Sequence, residues 1–345
     1  MKAISFGSPW LIFLGKSHDH LHAKTGYGLV DWRRENCLGQ LRYPGCVADL
    51  GIPDMTPTQA AAAGAKSLVI GVAPVGGALQ PEWTRDLIEA VAAGLDIVSG
   101  MHMPLASVPA LAEAAKDNGH KLVDIRKPPL GIPAGSGKKR TGKRLLMVGT
   151  DCALGKKYTA LALHRAMQAA GMDATFRATG QTGIMIAGGG MPMDAVVSDF
   201  LSGAAELLSP DNAPDHWDVI EGQRSLFHPA YAAVTLGLIH GSQPDALVLC
   251  HQPGRATILD YPDYPIPPLP ECIRRYEEAA ALTNSAASCI GISLNTAGMD
   301  EAARSKALAQ ASRETGLPCV DPIATGVAGL VAQLQAQPGA AQQGQ

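Results

Sequence analysis

The stretch "RLLMVGTDCALGKKYTALALHR" (144–165) concentrates residue types that could bind a phosphate. An apolar run ends in Gly149, a Gly155–Lys156 pair follows, and a helical pattern begins at once. Backbone amides in such a turn point inward, the helix N-terminus adds partial positive charge, and the lysine reaches bound oxygens. The usual spacing is G-x-x-x-x-G-K-[ST], and two positions depart from it. Gly149 stands one residue early, and Lys157 occupies the place of the hydroxyl that would hold Mg²⁺. Thr159 lies two residues further round the helix, too far to substitute without distortion. A second cation there suits a phosphate bound without a metal. The expected cradle is Gly149, Thr150, Asp151, Gly155, Lys156 and Lys157.

A second chemically rich stretch is "DVIEGQRSLFHP" (218–229), where Glu221 ends an apolar strand at the sheet edge that carries the loop. His228 could act as a base near neutral pH. Ser225 could pair with it as a nucleophile, although a three-residue loop spacing specifies little. Asp199 is a third candidate, in "MDAVVSDFLSGAAELL" (193–208), which reads as one long helix opened by Asp194 and Asp199. The base candidates are therefore Glu221, His228 and Asp199. Arg177, Arg224 and Arg255 all fall near strand ends, where forked guanidinium bonds could clamp substrate carboxylates. Gln181 and Thr182 join them in a polar turn over 180–183. His18, His20 and His22 alternate and would share one face of a strand; on a loop they are a solvated run. No metal is expected.

The elements that must position these residues alternate strand and helix. Strands are expected at 67–74, 95–100 and 121–126 with helices at 81–94 and 108–119, a parallel-sheet signature. A second series follows from Arg144, with strands at "DATFRATG", "WDVIEG", "DALVLCH", "CIGISLNT" and "PCVDPIATG". The fold class is α/β with two domains: a parallel sheet over 1–126 and a phosphate-loop parallel sheet over 144–334. Residues 127–143, rich in Pro, Gly and Lys, read as an inter-domain linker, and 335–345 as a disordered tail. "KTGYG" (24–28) and "GVAPVGG" (71–77) read as ligand loops, and "YPDYPIPPLP" (261–270) as an irregular one.

Of the 345 residues, 46% are hydrophobic and 17% charged, as in a soluble globular protein, and the net charge is −3. That balance offers no bulk attraction to nucleic acid or anionic membrane. Aromatics at 5% are too few for base-stacking platforms. Seven scattered cysteines without a C-x-x-C pair read as reduced thiols. The first residues carry no signal-peptide pattern, and no apolar run approaches the roughly 20 residues of a membrane span. A cytoplasmic enzyme with a small-molecule partner is expected, with self-association into a homo-oligomer.

"GTDCALGKK" resembles the loop of dethiobiotin-synthetase-like ATPases, whose pattern continues with Thr. Longer segments point elsewhere. "GTDCALGKK", "ATGQTGIMIAGGG", "DAVVSDFLSGAAE", "EGQRSLFHP" and "HGSQPDALVLCH" resemble the D-glutamate (D-amino acid) N-acetyltransferase family. So do "KTGYGL", "LGIPDMTP", "LVIGVAPVGG" and "GLDIVSGMH" in the first half, so that the likeness spans residues 10–333. The resemblance implies a Rossmann-like and a P-loop domain, and acetyl transfer from acetyl-CoA to the amine of a D-amino acid, D-glutamate foremost. Coenzyme A carries a pyrophosphate and a 3′-phosphate that need no Mg²⁺. A Mg·ATP-dependent ligase or carboxylase, with Asp151 and Glu221 on the metal, and a non-catalytic nucleotide-binding protein are the alternatives.

Overall fold

The computed structural model of the chain describes residues 6–20 and 22–336. They form two compact units, one of residues up to Pro128 plus Gln181–Ala195, the other of Pro129–Gly180 plus the chain from Val196 onward.

In the first unit, strands β1 (Trp10–Gly15), β2 (Cys37–Arg42), β3 (Ser67–Ile70), β4 (Asp96–Ser99) and β5 (Leu122–Asp124) pair in the order β2-β1-β3-β4-β5. Every pairing is parallel. Helices α1 (Lys24–Arg33), α2 (Pro57–Ala62), α3 (Thr84–Ala92) and α4 (Pro109–Asn118) connect them. β1 and β3 are buried along their whole length, as strands covered on both faces must be. β1 and β2 were not expected from the sequence, and "KTGYG" opens α1 where a loop was expected. Gly26 explains why: a Cβ there would stand 3.0 Å from Leu14 and 3.2 Å from Leu50, so the helix packs directly on the sheet.

The segment 181–195, assigned to the second domain by sequence, packs with this unit. The expected polar turn is helix α6 (Gln181–Ala187), with Gln181–Ile186 buried. The Thr182 hydroxyl lies 3.1 Å from that of Thr25, and Arg33 Nε donates to the Ile186 carbonyl at 3.0 Å. Arg126 pairs with Asp194.

The second unit holds β6 (Lys143–Gly149), β7 (Ala174–Arg177), β8 (Trp217–Ile220), β9 (Ala246–His251), β12 (Ser288–Leu294) and β13 (Cys319–Val320). Their order is β13-β12-β9-β6-β8-β7, again all parallel. Helices α5 (Lys156–Ala169), α7 (Leu201–Leu208), α8 (Ala232–Ser242), α9 (Leu269–Ala281), α10 (Glu301–Thr315) and α11 (Ala328–Ala336) complete it. The chain leaves β6 toward β7 on one side and leaves β9 toward β12 on the other. Open α/β sheets bind ligands where neighbouring strands part in this way.

Three further expectations change. The long helix over 193–208 is two short turns, Met193–Ala195 and Ser198–Phe200, followed by α7, so Asp194 and Asp199 open no common helix. The irregular loop over 261–270 contains β11 (Tyr261–Pro265), paired antiparallel with β10 (Thr257–Ile258). Prolines fit there because a two-stranded hairpin has only edge strands. The linker, from Pro129 on, is irregular chain strapped to the second unit. Glu206 accepts from the amides of Ser136 and Gly137, both at 2.9 Å. Arg144, 1% exposed, donates to the carbonyls of Arg140, Thr141, Gly142 and Pro210 and to the Ser209 hydroxyl. Gln335 and Ala336 finish α11, and the rest of the expected tail lies outside the described residues. Among the described residues no helix is long and apolar enough to cross a membrane.

Candidate functional site

The loop between β6 and α5 lies where the sheet connections diverge, and β9 braces it. The Thr150 amide donates to the Cys250 carbonyl at 3.1 Å, and its hydroxyl lies 2.9 Å from His251 Nδ1. Asp151 is fully buried and organises the turn from inside. Its Oδ1 accepts the Cys152 amide at 2.6 Å; its Oδ2 accepts Arg255 at 2.9 Å and the Leu259 amide at 2.8 Å. Ala153 and Gly155 take left-handed φ values of 55° and 98°, which turn the loop sharply into α5. The N-cap of α5 is Gly155, which has no side chain to cap the first turn. Such a turn, with the dipole behind it, is an anion cradle.

Lys156 is buried, its Nζ 2.8 Å from the Asp151 carbonyl. Burial pushes its basicity below the ordinary lysine range, while Cys152, Cys250 and Asp151 act in the opposite direction. An anionic ligand would favour its charged form. Lys157 lies 4.9 Å from the Tyr158 ring centroid. The Thr159 hydroxyl donates to the Gly155 carbonyl at 3.1 Å and meets the Ser293 hydroxyl at 2.8 Å, so it is committed to the core. The position that would offer Mg²⁺ a hydroxyl thus carries an amine, and Thr159, two residues on, is bonded into the core.

The loop after β8 supplies the second wall. Gly222 crosses β6 so closely that a Cβ would fall 1.6 Å from the Met147 carbonyl oxygen. Glu221, 4% exposed, accepts the amides of Thr179 and Gly180 on Oε2 at 2.9 and 3.0 Å, holding the turn after β7. Arg224 takes a left-handed φ of 57° and lays its guanidinium 4.2 Å from the Tyr231 ring. His228 is buried; its ring packs 4.5 Å from Tyr231 and 5.0 Å from Tyr261. Burial holds its basicity below the ordinary imidazole value, opposed by Asp151 and reinforced by Arg224. One donor atom each of Asp151, Cys152 and His228 lies within 4.8 Å of the others. A metal would compete there with Arg255 for a carboxylate whose oxygens already serve three donors.

The structure reassigns several residues expected at the site. Arg255 is engaged by Asp151, the Cys152 carbonyl and Gln252, which leaves no free fork for a substrate carboxylate. Arg177 reaches back to Asp218 at 2.6 Å, near the start of β8, because that 1%-exposed carboxylate needs a counter-charge. Gln181 and Thr182 belong to the first unit, where the Gln181 amide donates to the Gly100 carbonyl at 2.9 Å in the orientation that satisfies both of its ends. Asp199 sits exposed in a short turn, with no hydrogen bond or ion pair among the described residues. Ser225 accepts the Phe227 amide at 3.2 Å and is not bonded to His228 through its hydroxyl, so no nucleophile–base pair forms there. His22 pairs with Asp19 at 2.9 Å and His20 stacks on Tyr27, so the histidine run is a loop.

One residue escaped the sequence reading. Tyr276 on α9 donates to the Gly149 carbonyl at 2.6 Å and accepts the Leu226 amide at 3.1 Å, joining both walls of the site. It follows Leu269 and Cys272 on the buried face of an amphipathic helix, and a buried tyrosine hydroxyl needs a partner. That signal was available.

Comparison with known proteins fits this arrangement. Residues 42–128 match the Rossmann-like N-terminal domain of the DUF1611 family, and 133–331 its C-terminal P-loop domain. A D-glutamate N-acetyltransferase from Tritonibacter scottomollicae is 48% identical over 95% of this chain and 99% of its own length. Another from a Pseudoalteromonas species is 44% identical over 94% and 98%. The crystal structure of a DUF1611 protein from Anabaena variabilis superposes with a TM-score of 0.85 at 36% identity, covering 95% of this chain and 99% of that one. A Rossmann-like unit, a P-loop unit with an amine in place of the metal hydroxyl, and full-length similarity to these proteins place the chain in the DUF1611 family.

Proposed function

We propose that this protein transfers an acetyl group from acetyl-CoA to the amine of D-glutamate. The substrate ammonium first loses one proton; the neutral amine then attacks the thioester carbonyl, the C–S bond breaks, and a second nitrogen proton passes to the leaving thiolate, giving N-acetyl-D-glutamate and CoA with its free thiol. The observation that carries this reading is the cradle itself. Lys157 replaces the Mg²⁺ hydroxyl and Thr159 is turned into the core, which suits phosphates that anchor a ligand and do not react. The relatives' activity, at 44–48% identity over nearly whole chains, supplies the acceptor and the reaction type. Gly149, Thr150, Asp151, Gly155, Lys156 and Lys157 build the phosphate site, and Arg224, on the loop after β8 and beside Tyr231, is the arginine assigned to an anionic substrate group. The protein works in the cytoplasm on a small amino acid, with no nucleic-acid or membrane partner and no metal. Val197 and Leu207, 66% and 43% exposed, support self-association.

The test is turnover and binding with purified protein. Acetyl-CoA and D-glutamate are expected to release free thiol, and Lys156→Ala to weaken acetyl-CoA binding at least about tenfold by calorimetry. Unchanged affinity would remove the phosphate assignment. Stabilisation by Mg·ATP alone, with phosphate release, would replace the transferase with a ligase.

A further inference from the structure

His228 was expected as a base, yet its surroundings suit another task. The Ala230 amide donates to His228 Nδ1 at 3.2 Å. A backbone amide can only donate, so the Nδ1 lone pair is used, and the proton of the neutral ring sits on Nε2. A general base needs an unused lone pair, whereas the lone pair of this ring is taken by the Ala230 amide and its other nitrogen carries an N–H. The ring is clamped between Tyr231 and Tyr261, which opposes the flip that would exchange the two nitrogens.

Its position agrees. A ring nitrogen lies within 4.8 Å of both the Asp151 carboxylate and the Cys152 sulfur, at the tip of the phosphate loop. In acetyl-CoA the pantetheine arm separates the thioester from the pyrophosphate by on the order of 15 Å, counting single bonds in extended chain. A group touching the loop that holds the phosphates therefore stands far from the reacting carbonyl. The charged groups facing the ring are Asp151, Asp260, Arg224 and Lys156, and burial holds its basicity below the ordinary imidazole value.

We infer that His228 is a neutral Nε2–H donor to a phosphate group of the acetyl-CoA held by the loop, and not the base of acetyl transfer. This assignment rests on the transferase reading above. It makes His228 a specificity element that distinguishes a phosphorylated donor from a bare thioester.

The experiment compares acetyl-CoA with S-acetylpantetheine, which keeps the thioester and lacks the phosphates, using D-glutamate as acceptor. With the wild-type enzyme acetyl-CoA should be the better donor. His228→Ala should lower kcat/KM for acetyl-CoA by about 10- to 100-fold, chiefly through KM, and lower it far less for S-acetylpantetheine. His228→Gln, whose side-chain amide N–H can stand near Nε2, should recover most of the loss and keep the wild-type pH profile of kcat. Circular dichroism checks the fold, and the glutamine variant keeps the test readable if alanine unfolds the loop. Equal losses with both donors and no recovery by glutamine would show proton abstraction and overturn the assignment. If the wild-type enzyme used both donors equally, the phosphate-loop reading would fail, and His228's role with it. Turnover with neither donor would overturn the transferase reading itself.

Discussion

Each unit places a strand-to-helix turn where neighbouring strands of a parallel sheet part. In the first, the chain passes from β1 to α1, and the start of α1 is bonded to the protein itself. The Gly26 amide, in the first turn of α1, donates to the Gly71 carbonyl at 2.8 Å, and Thr25 meets Thr182. Asp19 takes the His22 amide at 2.8 Å and is 49% exposed. In the second, β6 leads into α5 through a loop with two left-handed residues, a buried lysine, a fully buried aspartate and a glycine at the helix N-cap. Parallel-sheet topology offers both turns to a ligand. An anion cradle arises only where the helix amides face outward and a buried cation is held beside them.

Deleting the two aspartates should widen this contrast most. Asp151→Ala leaves the 17%-exposed Arg255 and two amides without their acceptor, a loss of about 3–5 kcal/mol. Asp19→Ala removes an exposed pairing worth about 0–1 kcal/mol. Urea midpoints measure both, and similar shifts would deny that only the second loop is braced from within. The next effect concerns backbone closeness. Gly222→Ala must push β6 from the following loop and should cost about 3 kcal/mol, with Lys156 and the cradle displaced. A variant of normal stability and acetyl-CoA affinity would show that the crossing is slack.

The smallest effect is a pH dependence. Burial, aided by the Arg255 charge, pushes His251 down to about 4, against about 6.5 for a free imidazole. Above pH 6.5 the ring is neutral folded or unfolded and has no effect. As the pH falls from 6.5 toward 4 the unfolded chain takes the proton first, so stability is lost, by about 2 kcal/mol at pH 5. His251→Asn should shrink the shift in urea midpoint between pH 7 and pH 5. An unaltered shift would place the titrating group elsewhere.

The strands of the second sheet and the phosphate loop were legible because they announce themselves locally. Unbroken apolar runs mark buried parallel strands, and Gly155–Lys156 before a helix marks an anion site. The arginines were misjudged for the opposite reason. Arg177, Arg224 and Arg255 look alike in a sequence, and only the buried carboxylates of Asp218 and Asp151 decide that two of them are structural. The long helix over 193–208 was misread because its apolar pattern ignored the crossing between units after Ala195.

The sequence alone determined the α/β class, the two-domain order and the missing Mg²⁺ hydroxyl, since these follow from periodicity and from residue identity at fixed spacing. The tertiary structure decided which polar groups stay available to a ligand. Asp151, Arg255 and Glu221 spend hydrogen bonds on partners distant in the chain, because buried polar groups must be satisfied wherever the fold brings a partner near. His228 is the sharpest case. Its identity suggested a base, and one backbone amide at 3.2 Å fixes which nitrogen carries the proton.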